Sequence, residues 1–192
     1  MKKLLIALPF VLASFNAQAE PHTYSFDTVH SQIIFFVNHL GFSNSEGEFL
    51  DFDGEFTFDP ENVEASDVDV TIDTTSIDMD DEAWDKHLKN ADFFDVEQFP
   101  TMTFKSTEVL KTGEKTGLMT GDLTMLGVTK PVTLDVTMNK VGEHPRSGKQ
   151  HAGFSATGKL NRSDWGMDYG LPMVGDEVNI RIEVEGSAKE QQ

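Results

Sequence analysis

The strongest constraint on this chain is a two-residue rhythm of apolar and polar side chains that recurs along most of its length. Leu50, Phe52, Phe56 and Phe58 share one parity, against Asp51, Asp53, Glu55 and Thr57 on the other. Val68, Val70 and Ile72 alternate with Asp67, Asp69, Thr71 and Asp73, and Met102, Phe104 and Ser106 with Thr101, Thr103 and Lys105. The pattern returns at Met119, Leu123 and Met125, and again at Val132, Leu134, Val136 and Met138. Phe154, Ala156, Gly158 and Leu160 carry it on, and Val178, Ile180, Ile182 and Val184 close it. Successive side chains of a strand point to opposite faces, so each run predicts a strand with one buried and one wet face. With the run Ile33 to Val37, apolar on both parities, these make eight strands and an all-β fold.

Turn chemistry joins the runs. Thr112-Gly113-Glu114-Lys115 and Leu126-Gly127 each sit between alternating segments and predict antiparallel hairpins. Lys130-Pro131 reads as a strand start, where a missing N–H is tolerated. One segment has a different period. Trp84, His87, Leu88 and Ala91 recur at helical spacing, with Asp80 as the expected N-cap, Asp81 and Glu82 in the first turn, and Lys86 and Lys89 near the end. This predicts one short helix over 81–91, laid across an opening or flank of the sheet. Eight antiparallel strands can form a sandwich, a jelly roll or a closed barrel. Closure removes exposed edges and, at this strand number, leaves a bore that side chains fill or one small ligand occupies.

Residues 1–19 read as a cleaved secretory signal: Lys2 and Lys3, an apolar stretch from Leu4 to Phe15, then Ala17-Gln18-Ala19. The stretch is too short to span a bilayer, and no later segment is apolar enough to be an integral membrane span. The expectation is one exported domain over residues 20–192, in the periplasm of a Gram-negative bacterium. The chain has no Cys, which excludes disulfides, thiol chemistry and thiolate metal ligands. Its formal charge of −18 repels nucleic acid and anionic surfaces, so no nucleic-acid partner is expected. Such a surface is compatible with a monomer or a homodimer.

Several blocks together resemble the YceI-like, polyisoprenoid-binding family of bacterial periplasmic proteins. They are Asp27-Thr28-Val29-His30-Ser31, His39-Leu40-Gly41-Phe42-Ser43, Gly47-Glu48-Phe49, the run Asp85 to Val96, Phe99 to Ser106, Gly121 to Val132, and Asn161-Arg162-Ser163-Asp164-Trp165-Gly166. The blocks occur in family order over nearly all of residues 20–192. Three positions depart from the family pattern: Trp84 replaces a basic residue, Met79 a Thr, and Trp165 a Phe. The resemblance implies a lipocalin-like barrel whose interior sheathes a polyprenyl lipid or the tail of an isoprenoid quinone, and no established enzymatic activity.

Apolar stripes are ordinarily core, and the residues alone read that way. The resemblance instead implies an apolar tunnel lined by Ile33, Phe35, Val37, Phe52, Phe56, Val70, Ile72, Met102, Phe104, Leu123, Leu134, Val136, Phe154, Ile180 and Ile182. The count of 15 Phe and 8 Met against 2 Tyr suits an unfunctionalised hydrocarbon, because these side chains offer area without hydrogen-bonding demand. Trp84, His87, Arg162 and Trp165 are candidates for the tunnel mouth. For His87 the alternative is a packing role, and for Arg162, with Asp164, the pinning of a turn. The six His show no HExxH or H-x-H pair, so no metal site is expected. No catalytic residue is expected either: Gly153-Phe154-Ser155-Ala156-Thr157-Gly158 has one residue too many for a G-x-S-x-G elbow and lies in a strand. The bound lipid is the only cofactor-like group implied. Two other functions fit the residues: an enzyme acting on a lipid or quinone head at the mouth, and a protein-binding module with a solid core.

Overall fold

The computed structural model describes residues 21–190; the expected signal, residues 1–19, lies outside the described residues. The described chain runs β1 (His22–Phe26), β2 (Gln32–His39), β3 (Ser43–Phe49), β4 (Phe52–Phe58), β5 (Asp67–Asp73), β6 (Ile77–Asp78), α1 (Glu82–Leu88), β7 (Thr101–Lys111), β8 (Thr116–Met125), β9 (Val128–Glu143), β10 (Gln150–Asn161) and β11 (Val174–Ala188). Six of these segments are halves of three long staves. β1 and β2 together pair with β4 and β3, with Tyr24 opposite Phe56 and Ile33 opposite Phe49. β4 and β3 in turn pair with β5 and β6, with Phe52 opposite Ile72 and Phe49 opposite Ile77. From β5 each stave pairs with the next through β7, β8, β9, β10 and β11. β11 then returns to the first stave, pairing with β2 along one stretch and β1 along the next. The result is a closed, antiparallel barrel of eight staves in up-and-down order: the alternation predicts the eight strands, and the barrel is the arrangement that the family resemblance implies.

The breaks within staves are specified locally. At 50–51 the chain bulges: the Leu50 N–H donates to Ser76 O (3.2 Å) and the Asp51 N–H to Ser76 Oγ (3.0 Å). The bulge throws Leu50 outward, 53% exposed, so its expected place on the inner parity is corrected; Phe52, Phe56 and Phe58 stay buried. Between β1 and β2 the loop 27–31 is held to β11, where the Asp27 N–H donates to Glu185 O (2.8 Å). The two-residue loop Leu126-Gly127 has φ of 52° and 73°, the left-handed pair that matches the twist of a tight hairpin. β9 accordingly starts at Val128, and Pro131 lies inside the strand opposite Asp122 rather than at its beginning.

The helix is shorter than its sequence period suggests. Asp81, not Asp80, is the N-cap, its carboxylate accepting from the N–H groups of Ala83 and Trp84 (both 3.0 Å). Asp80 has φ of 57° and closes a turn through Asp78, which sets Asp81 at the first extended position. After Leu88 the chain folds back to bury Phe93 and Phe94 in the main core, so Ala91 lies beyond the helix. Burial of two Phe, at about 1.5–3 kcal/mol each, outweighs one more helical turn. Among the described residues no helix is long and apolar enough to cross a membrane.

Candidate functional site

The barrel is hollow. A cavity of about 500 Å³ runs between its ends, touching Trp84 and Tyr169 at one end and Pro60 and Lys111 at the other. The fifteen apolar residues named for the tunnel all line it, and Leu50 does not. They divide into two walls. Phe52, Phe56, Val70, Ile72, Met102, Phe104, Leu123 and Leu134 are buried among core neighbours. Ile33, Phe35, Val37, Val136, Phe154, Ile180 and Ile182 are only half-buried, because the void lies against them. A cavity of this size does not fit the solid-core alternative.

Small residues keep the bore open. Gly47 sits opposite Phe35 in the sheet, and a Cβ there would run into the Phe35 ring and the Met79 sulfur. Gly117 and Ala156 flank Val136 in register, leaving the middle of the bore without a bulky side chain on either neighbour. Toward the end away from the helix, aromatic rings narrow it. Tyr24 stacks on Phe56 with centroids 4.8 Å apart, and Phe154 meets Phe56 and Phe58 edge-on at 5.7 and 5.1 Å. Such edge and offset pairs add about 0.5–1.5 kcal/mol beyond area burial, which fixes this end.

The helix end is polar only in places. Trp84 is 45% exposed, and its indole lies 6.1 Å from the His39 ring. His87 meets Phe93 and Tyr169 edge-on at 5.1 and 5.5 Å and stands 3.7 Å from the Asp92 carboxylate. Both residues border the cavity, as Asn38 and Ser45 do. Exposed Leu40, Phe42, Tyr169 and Met173 add apolar surface from the adjoining turns, with the Leu40 N–H donating to Met173 O (2.8 Å). Sequence reasoning noted Met79 only as a departure from the family pattern and missed Tyr169 and Met173; the one signal of those two is that they are large apolar residues in a segment otherwise read as a polar turn.

Two candidate mouth residues turn out to hold the frame. Arg162 is buried, and its guanidinium donates to four carbonyls: Gly175 (2.8 Å), Met167 (2.9 Å), Tyr169 (2.9 Å) and Val174 (3.1 Å). Burial holds its pKa below the usual arginine value, partly offset by Asp176 and Asp168. Arg162 touches the cavity wall, but its donors are committed to the 167–175 segment. Trp165 is corrected outright: it is buried in the core, its indole N–H donates to Leu123 O (3.1 Å), and it does not border the cavity. Histidine spacing along the chain gave no metal ligands, yet the closed barrel brings His151 to Asp27 and Glu185 on its outer wall, with ligand atoms of the three within 4.8 Å of one another.

A closed antiparallel barrel of eight staves around an apolar bore defines the class of lipocalin-type hollow barrels. The chain belongs to the YceI-like family: residues 24–186 match the YceI-like domain. It is 44% identical to Protein YceI of Escherichia coli O157:H7 over 189 residues, covering 97% of this chain and 98% of that one. Among solved structures it is similar to Burkholderia cenocepacia BcnA, with 26% identity and a TM-score of 0.75 over 83% of this chain and 98% of that one. A polyisoprenoid binding domain from Saccharophagus degradans, described as implicated in plant cell wall breakdown, shares the fold. Its TM-score is 0.66 at 13% identity, covering 86% of this chain and 98% of that one.

Proposed function

We propose that this protein is a periplasmic carrier that sheathes the tail of an isoprenoid lipid, a polyprenyl lipid or an isoprenoid quinone, inside the barrel. The observation that carries the reading is the apolar cavity of about 500 Å³ between the barrel ends, within the range of about 300–1,000 Å³ typical of ligand sites. The polyisoprenoid binding of the Saccharophagus degradans domain supports the ligand class, and the signal read in residues 1–19 supports export. The tail occupies the bore against the half-buried wall of Ile33, Phe35, Val136 and Ile182, and the head lies among Trp84, His87 and Tyr169. Arg162 and Trp165 act as positioning residues for the mouth segment. The protein holds and releases its ligand unchanged, without catalysis.

The energetics favour the tail. At about 0.8 kcal/mol per buried CH₂, a chain of about 40 carbons sums past the roughly 20 kcal/mol at which affinities saturate. Ordering the chain consumes much of that, and at about 0.3 kcal/mol per heavy atom the net is near 12 kcal/mol, about nanomolar. The test is mass spectrometry of organic extracts from protein purified out of its native periplasm. An isoprenoid lipid at near one equivalent is expected. Protein that is isolated empty and then takes up neither polyprenol nor quinone overturns the reading.

A further inference from the structure

The structure assigns a second site, for a transition-metal dication such as Zn²⁺, on the outer wall of the barrel where its first and last staves close. The ligands are His151 of β10, Glu185 of β11 and Asp27 of the loop between β1 and β2. His151 Nε2 and Glu185 Oε2 are 3.0 Å apart, and ligand atoms of all three residues lie within 4.8 Å of one another. Around tetrahedral zinc, ligand atoms sit about 3.4 Å apart, so a contraction of at most about 1.4 Å completes the set. The half-exposed Glu185 side chain can supply that movement.

The backbone under these groups is already fixed. The buried Ser31 hydroxyl donates to Glu185 O (3.3 Å) and accepts from the Glu185 N–H (3.0 Å). The Asp27 N–H donates to the same Glu185 carbonyl (2.8 Å). His151 is 14% exposed, and its Nδ1 lies 3.0 Å from Ser187 Oγ. A serine hydroxyl can accept from Nδ1–H, which frees the Nε2 lone pair for a metal; this is the outer-shell contact that orients a ligating histidine. His30 Nδ1 holds the Asp27 carboxylate at 2.9 Å in the same way.

A separate hollow of about 270 Å³ opens beside His151 and Glu185, bordered also by His30, Glu143, His144 and Glu183, with Lys140 as its lysine; Asp27 approaches the pair from outside that hollow. The hollow leaves the fourth coordination position to water. One imidazole with two carboxylates suits zinc and its neighbours rather than Ca²⁺ or Mg²⁺, which take more oxygen ligands. Because β1, β2 and β11 form the closing seam, a bound metal ties the two ends of the sheet together.

The experiment is calorimetric titration of the purified protein with zinc chloride, and separately with magnesium chloride, together with thermal unfolding. One zinc per chain is expected, no magnesium event, and a rise in Tm with one equivalent of zinc. His151→Gln and the Asp27→Asn, Glu185→Gln double variant should weaken zinc at least about tenfold, while His22→Gln leaves it unchanged. Circular dichroism of the metal-free variants separates loss of a ligand from loss of fold. Should His151→Gln unfold, Glu185→Gln decides alone. Absence of a one-to-one event, or one that survives these substitutions, overturns the site.

Discussion

Replacement of Val136 by Asp places a charge on the bore wall at the point where its neighbours are smallest. Val136 is half-buried and faces the cavity, flanked in register by Gly117 of β8 and Ala156 of β10. In the ligand-free protein the introduced carboxylate can be hydrated from the void. With a hydrocarbon laid across it that water is lost, and the penalty for a buried ion in a real protein is several kcal/mol. A penalty of about 4 kcal/mol is about a thousandfold in Kd at about 1.4 kcal/mol per decade. His87→Ala removes at most one head contact, about 0.5–1.5 kcal/mol, or no more than about tenfold. Equilibrium binding of a radiolabelled long-chain polyprenol to parent and variants gives both numbers, with circular dichroism as the fold control. Affinity of Val136→Asp should recover in acid, because protonation removes the charge that the complex cannot hydrate. If Val136→Asp binds within tenfold of the parent, or His87→Ala costs more than Val136→Asp, tail burial is not what holds the ligand.

Other perturbations address the frame. Gly47→Val should drive the Phe35 ring into the bore and weaken the polyprenol more than it lowers stability; unchanged binding would mean the bore does not pass Phe35. Arg162→Met leaves four carbonyls without their donor and should cost about 3–5 kcal/mol in urea unfolding; Arg162→Lys should not rescue it, because an ammonium cannot span the fan. A loss under about 1 kcal/mol would refute the accounting. Asp81→Ala should cost about 1 kcal/mol through the lost helix cap, with Asp80→Ala costing less; the reverse order in thermal unfolding would restore Asp80 as the cap. In metal-free protein the Asp27 carboxylate, with a smaller contribution from Glu185, raises the His30 pKa, and His30 holds Asp27 below the usual carboxylate value. The stabilisation by His30 is present below the ordinary histidine range and lost as pH rises through its raised pKa. That by Asp27 is present above the ordinary carboxylate range and lost as pH falls through its lowered pKa. NMR titration of Asp27→Asn should return His30 toward its ordinary value, and an unmoved His30 would contradict the pairing.

The wall of the bore was legible residue by residue because strand alternation is a local property. Once Val132, Leu134 and Val136 share a parity, they share a face in any antiparallel sheet. The exceptions lie where the beat breaks. Leu50 keeps the parity of Phe52 on paper, but the bulge that Ser76 pins at 50–51 turns it to solvent. Asp80 and Asp81 are both good caps by residue type, and only the turn through Asp78 decides between them. Trp165 belongs to a motif at the mouth in sequence, yet its indole reaches a strand carbonyl at Leu123, far away along the chain.

The sequence by itself determined the eight staves, their inward rows, the tight hairpins and the apolar character of whatever space they surround. Those follow from chirality, pleat and turn sterics, which act over a few residues. Tertiary structure alone decided whether that space is filled, because a void is set by how far apart the walls close, through strand tilt and the placing of Gly47, Gly117 and Ala156 against one another. It alone also decided that His151, Asp27 and Glu185 meet. Ligand distance is a property of the closed seam, and residues 27 and 185 become neighbours only when the last stave finds the first.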